Sequence, residues 1–289
     1  MMWAGRTKET VFFKRRFWRQ FKKQKPALIC LSFILLLGIA TTFSAYLTGY
    51  QPDVQGNLVT ERYQKPSLQH YFGTDKFGRD LFSRVLYGGR ISLTIALSVV
   101  LLALSIGLMY GMIAGYYGGI VDAVMMRFLD FWLAFPAIFL IMTVVALFRP
   151  NPFILIVLLS VTSWMETARL VRAEVLSLKS REFVLAAKGL GISDMQVLLK
   201  HILPNSLNPI FVSAPLKVGE MILLESALSF LGIGVQPPMA SWGSIINDGR
   251  DVLLQAWWVA AIPGLFIVLT VLSFNLIGEG LRESMGIRK

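Results

Sequence analysis

Three charged residues, Lys217, Glu220 and Glu225, stand inside a long apolar stretch, where each unpaired charge costs on the order of 2.5–3.5 kcal/mol. Lys217 and Glu220 are three positions apart and can pair on one helix face. Two roles are open to such charges: the polar lining of a path through an apolar medium, or an internal ion pair where subunits meet. Glu225 sits nearer the end of the stretch. Arg127 and Asp130 repeat the three-residue spacing, with Asp122 just before them, and read as charge pairs at a membrane interface. His70 and His201 lack the neighbours of a ligand or a general base. Asp53, Asp75 and Asp80 are too few for a metal site and are explained by caps and pairs. One cysteine, Cys30, and two histidines exclude an internal disulfide and a usual structural zinc site. No nucleophile–base pair or carboxylate dyad appears, so the chain is expected not to be an enzyme. No GxxxxGK[ST] loop occurs either, and any ATP that drives this chain must be hydrolysed on another polypeptide.

The elements that position these residues are membrane spans. The 289 residues are 55% hydrophobic and 16% charged, with a mean hydropathy of +0.62, against roughly 45–50% and about 25% in soluble domains. Residues 27–47 carry no charge over 21 positions, enough to cross ~30 Å of hydrocarbon and too long for the core of a signal peptide. Further spans are expected at 91–117, 124–148, 152–165, 205–228 and 257–277, six crossings of an all-α integral membrane protein. Nine of the 28 Lys and Arg residues precede the first span, opposed by Glu9 alone, which predicts a cytoplasmic N-terminus. With that orientation 19 basic residues fall inside and 8 outside, and the C-terminus is cytoplasmic. In residues 13–23 Phe13, Phe17 and Phe21 share one face opposite Arg15, Arg16, Arg19, Lys22 and Lys23, the pattern of an interfacial helix on membrane lipid. Beside a span, that reading is preferred to a nucleic-acid arm. Trp132, Trp164, Trp257 and Trp258 fall near span ends and read as interfacial anchors. The expected organisation is a basic segment (1–26), a first span (27–50), an extracytoplasmic loop (51–90), a core of five spans (91–281) and a tail (282–289).

Two connecting regions and the end of the fifth span hold most of the remaining pattern. Residues 166–204 are mixed in charge and helical in spacing. A helix over 166–178 precedes a segment from Glu182 through Leu185, Ala186 and Ala187 to Gly191. Ser193 and Asp194 then cap a helix that Pro204 ends just before the membrane. Adjacent alanines let a partner lie close, and Gly191 permits a sharp turn. In the outer loop Gly73, Thr74, Asp75 and Gly78 form a turn, Asp80 caps a helix from Leu81 and pairs with Arg84, and Gly88-Gly89 stops that helix before span two. The fifth span ends in Glu225-Ser226-Ala227-Leu228-Ser229-Phe230-Leu231-Gly232-Ile233-Gly234, followed by Ser241-Trp242-Gly243.

The 185–204 pattern resembles the EAA loop of the inner-membrane permease subunits of ATP-binding-cassette importers: EAA, three residues, G, nine residues, I, one residue, LP. It falls on Leu185-Ala186-Ala187, Gly191, His201 and Leu203-Pro204 with every spacing kept. Leu185 replaces the glutamate and His201 the isoleucine, so a salt bridge from that glutamate does not carry over. The runs at 72–93 and 225–243 are similar to those of the second, "C"-type subunit of the dipeptide, oligopeptide and nickel permeases, a resemblance reaching the 281–282 tail. It implies a six-helix bundle of the type I kind with a cytoplasmic coupling loop, in the bacterial inner membrane and working by alternating access. It also implies a homologous second permease, two cytosolic ATP-binding subunits carrying ATP and Mg, and an extracytoplasmic solute-binding protein. Gly73, Thr74, Asp75, Gly78, Arg79, Asp80 and Arg84 are then expected to close the outer mouth or touch the binding protein. Peptides are the expected cargo, a nickel or other metal chelate the alternative. A carrier driven by a proton or sodium gradient through Glu220 is the rival reading.

Overall fold

The computed structural model describes residues 18–148 and 151–286. The basic helix expected over 13–23 lies outside the described residues as far as Phe17, as do Arg149 and the tail beyond Gly286. Residues 18–21 are helical, and Phe21 is buried rather than laid on lipid. Among the described residues the regular structure is all helical apart from one isolated bridge between Thr74 and Asp80. Besides the short turns Ser44–Leu47 and Arg250–Val252, the main helices among the described residues are α1 (Lys25–Thr42), α2 (Leu81–Tyr117), α3 (Gly119–Leu133), α4 (Ala137–Leu147), α5 (Pro152–Lys179), α6 (Glu182–Gly189), α7 (Asp194–Val197), α8 (Leu203–Phe230), α9 (Trp242–Gly249) and α10 (Trp258–Ser284). Among the described residues five stretches are long and apolar enough to cross a membrane, and a sixth results if α3 and α4 together make one span.

That third span, expected as one helix, is bent by 70° between α3 and α4. The break falls at Pro136, which has no N–H to donate and is itself extended, with φ −62° and ψ 120°. The expected stop at Gly88-Gly89 is absent, because α2 runs through both. Their missing side chains make room instead, since a Cβ on Gly89 would lie 2.8 Å from the Trp242 ring and one on Gly88 3.2 Å from Ile245. Pro204 does not end a helix either. A π turn, Leu198–Ile202, carries α7 into α8, and a proline in the first turn of a helix sacrifices no intrahelical bond.

The longest contact in the bundle joins α2 to α5. Gly107, Gly111 and Gly115 recur every fourth residue of α2 and bring the backbones together. A Cβ on Gly111 would stand 2.5 Å from the Ala168 carbonyl oxygen and 2.7 Å from Val171 Cβ; on Gly115 it would meet Val175 Cβ at 2.9 Å. Small residues at this spacing are how membrane helices gain dispersion energy where lipid offers no hydrophobic drive. Trp164 and Trp258, expected as lipid anchors, are buried inside the bundle, Trp164 edge-on to Tyr110 at 4.8 Å. Trp257 alone of that adjacent pair is well exposed.

Gly111→Val is expected to wedge α2 from α5 at a cost of about 1–3 kcal/mol, read as a lower melting temperature in detergent. Gly38→Ala on α1, where nothing lies within 4 Å of the added carbon, is expected to leave it unchanged.

Candidate functional site

At one end of the bundle α6 and α7 form a hairpin after α5. Its turn is set by backbone chemistry: Gly191 has φ +74°, its N–H bonds the Lys188 carbonyl at 2.9 Å, and the Ile192 N–H bonds the Ala187 carbonyl at 3.2 Å. That pair of bonds is a Schellman motif, which requires a left-handed residue at this position. Glu182 lies in the first turn of α6, where its charge suits the helix dipole. Ser193 occupies the cap position of α7 without a side-chain capping bond. The two alanines divide. Ala187 is buried with Val184 and Val197 against the bundle, whereas Ala186 faces outward. Beside Ala186, Phe183, Leu185, Leu190 and Met195 are exposed, an apolar patch on a structure otherwise well packed beneath it. His201 and Leu203 are half-buried in the return to α8, and Pro204 is exposed.

Midway along the bundle the expected Lys217–Glu220 pair does not form. Lys217 reaches across to Glu166 of α5 at 3.0 Å, and Glu220 stays exposed with no partner among the described residues. Arg127 and Asp130 do not pair either: Asp130 takes Arg169 at 2.5 Å, while Asp122 takes two bonds from Arg172. Both links tie α3 to α5. Glu225 does not share the open face of Glu220. It is 1% exposed, accepting bonds from Ser92 of α2 at 2.9 Å and Ser229 at 2.7 Å. Those hydroxyls accept in turn from the Trp242 and Val235 N–H groups, so one carboxylate joins α2, α8 and α9.

The opposite end holds the outer-loop residues together. Gly73 and Gly78 adopt φ of +78° and +68°. Thr74 accepts the Gln64 N–H at 2.8 Å. Asp80 caps α2 through the Ser83 N–H at 2.8 Å and takes His70 Nδ1 at 2.9 Å. His70 therefore does have a carboxylate neighbour, and with Asp80 so occupied the expected Asp80–Arg84 side-chain pair is replaced. Arg84 instead stands 3.4 Å from Asp75 and 3.2 Å from Asp248, Arg79 reaches the same carboxylates at 2.6 and 3.2 Å, and Lys76 meets Asp248 at 2.8 Å. Asp248 on α9 went unnoticed in the sequence, since its arginine partners lie 164 and 169 positions away and no local spacing points to them. Trp242 completes the joint, wholly buried and bonding the Val85 carbonyl at 2.9 Å.

A helical bundle with an exposed apolar patch on a hairpin at one end and an ion-paired loop clamped to α2 and α9 at the other fits the frame of a membrane transport subunit. The family model of the binding-protein-dependent transport system inner membrane component matches residues 107–285, and that of the N-terminal transmembrane domain of oligopeptide transport permease C matches residues 13–66. The chain belongs to the binding-protein-dependent inner membrane component family: it is a multi-pass inner-membrane permease subunit of an ATP-binding-cassette importer, not an enzyme. Its relatives include a dipeptide transport system permease protein of Alkalihalophilus pseudofirmus, 41% identical over 271 residues, 94% of this chain and 88% of that one. The dipeptide permease of Bacillus subtilis is 39% identical over 93% of this chain and 83% of its own. A glutathione transport system permease protein of Escherichia coli O6:K15:H31 is 41% identical over 93% and 88%. Membership decides against the gradient-driven carrier.

Asp248→Ala is expected to leave Arg79 and Arg84 without half of their buried counter-charge, costing about 3 kcal/mol. Thermal melting would report the loss, together with new trypsin cleavage at Lys76 and Arg79; Asp248→Asn should fall between.

Proposed function

We propose that this chain forms half of the translocation path of an importer for di- or oligopeptides, opposite a homologous second permease. Two cytosolic ATP-binding subunits, carrying ATP and Mg, drive it, and an extracytoplasmic binding protein delivers the cargo. The hairpin lies in the cytoplasm with both termini, and the clamped end faces outward. The observation that carries this reading is the exposed patch of Phe183, Leu185, Ala186, Leu190 and Met195 on a hairpin whose other side is fixed to the bundle.

Within that patch Leu185 and Ala186 meet the ATPase, while Ala187 lets the hairpin lie close to α5 and α8. Gly191 holds the turn, Glu182 favours the start of α6, and His201, Leu203 and Pro204 join the hairpin to α8. ATP closes the ATPases, the hairpin moves with them, and α2 and α5 carry the displacement toward the outer end. Glu220 and the Glu166–Lys217 pair line the path, offering an acid and a base to the two termini of a zwitterionic peptide. Glu225 is a buried tether, not a lining residue. Gly73, Thr74, Asp75, Gly78, Arg79, Asp80 and Arg84 hold the outer mouth. The dipeptide and glutathione relatives support peptide cargo.

Gly191→Leu tests the docking. No atom lies within 4 Å of the added carbon, so the cost is backbone strain of about 1–2 kcal/mol rather than a clash. Uptake of a labelled dipeptide is expected to fall about tenfold with insertion intact; normal uptake would contradict the docking role. Glu220→Gln is expected to change uptake per assembled complex while leaving recovery of the complex unaltered. The reverse, lost assembly with normal uptake per complex, would make Glu220 an interface residue instead.

A further inference from the structure

Tyr116 is the penultimate residue of α2 and nearly fully buried, yet α5, α6 and α7 each reach it by a polar contact. Its hydroxyl bonds Asp194, the first residue of α7. Lys188, in the last turn of α6, places its ammonium 4.8 Å from the centre of the Tyr116 ring and 3.9 Å from Asp194. Lys179, the last residue of α5, donates to the Tyr116 carbonyl at 2.6 Å, satisfying an acceptor that the end of α2 leaves without an intrahelical donor. Around this set lies an apolar cluster of Met112, Val175, Leu178, Val184, Ala187 and Val197. Apolar packing alone would let a short hairpin slide. A directional bond and a cation held over a ring face fix its angle as well.

We infer that Tyr116 is the positioning residue through which movement of the hairpin is imposed on α2. The inference rests on the reading of the hairpin as the ATPase dock. A displacement of α6 or α7 pulls Asp194 and Lys188 against Tyr116, and α2 follows because no other helix end offers the pair a polar partner among the described contacts. From Tyr116, α2 runs unbroken to Ser92 and Arg84, the residues that bond Glu225 and Asp248. One tyrosine thus stands between the docking surface and the outer joint.

The test is ATP hydrolysed per labelled dipeptide taken up, measured in the complete importer reconstituted in vesicles with its binding protein, for Tyr116→Phe, Asp194→Ala (which removes the acceptor of the tyrosine hydroxyl) and the double variant. Tyr116→Phe keeps the ring beneath Lys188 and the buried packing, so the complex should assemble normally. The expected result is a rise of about five-fold in ATP per dipeptide for each single variant. The double variant should show no further rise, because both changes remove one bond. A merely structural role would lower complex yield and both rates together, leaving the ratio unchanged, and that outcome would overturn the inference; so would additive effects in the double variant. Cross-linking from Leu190→Cys to the ATPase separates the premise from the inference. No cross-link in otherwise native protein contradicts the docking reading, whereas a retained cross-link with an unchanged ratio contradicts the role of Tyr116 alone.

Discussion

The close approach of α2 and α5 is the constraint on which the rest of this structure depends. Lipid gives two apolar helices no hydrophobic reason to associate, so the contact must be won by dispersion between backbones brought near each other. Gly107, Gly111 and Gly115 supply that approach along one face of α2, against Thr167, Ala168, Val171 and Val175 of α5. A 37-residue helix is about 55 Å long, well beyond the hydrocarbon thickness. Packed against α5 along the Gly107, Gly111 and Gly115 face, it is a stiff member with one end in the hairpin and the other in the clamp.

Charge is used differently along that member. At the clamp, Asp75 and Asp248 are shared by Arg79 and Arg84, so no single pair holds the loop, α2 and α9 together. Deeper in, Glu225 reaches the backbones of 235 and 242 only through serine hydroxyls, a fully used carboxylate that locates α9 without a counter-ion. Midway along the bundle, by contrast, Lys217, itself mostly covered, has one partner among the described residues, the exposed Glu166, and the exposed Glu220 has none. The clamp charges are thus each held by several partners, whereas Lys217 has one and Glu220 none among the described residues.

Membrane spans were legible because length and hydropathy are local properties, and the Gly191 turn because helix spacing on either side isolates it. Asp80 as a cap was legible for the same reason. Local spacing also misled. It pairs Lys217 with Glu220, Asp80 with Arg84 and Arg127 with Asp130, whereas the fold sets Glu166, Asp248 and Arg169 nearer, partners 39 or more positions away from the groups they meet. Gly88-Gly89 looks like a stop when only helix propensity is weighed, and becomes a slot once Trp242 arrives from α9. Tyr116 carries no signal in the sequence at all: a tyrosine at the end of an apolar helix is ordinary until the hairpin folds back onto it. The Pro136 bend was visible in principle, but the apolar run on both sides outweighed it.

The central claim is that α2 and α5 move as one body when the importer turns over. Pulsed electron paramagnetic resonance between spin labels at Met109 of α2 and Leu170 of α5, both on exposed positions, measures this directly in nucleotide-free and vanadate-trapped complexes. The same distance in both states is predicted; a shift of ~5 Å, one helical turn, would show the two helices sliding past each other and contradict the account.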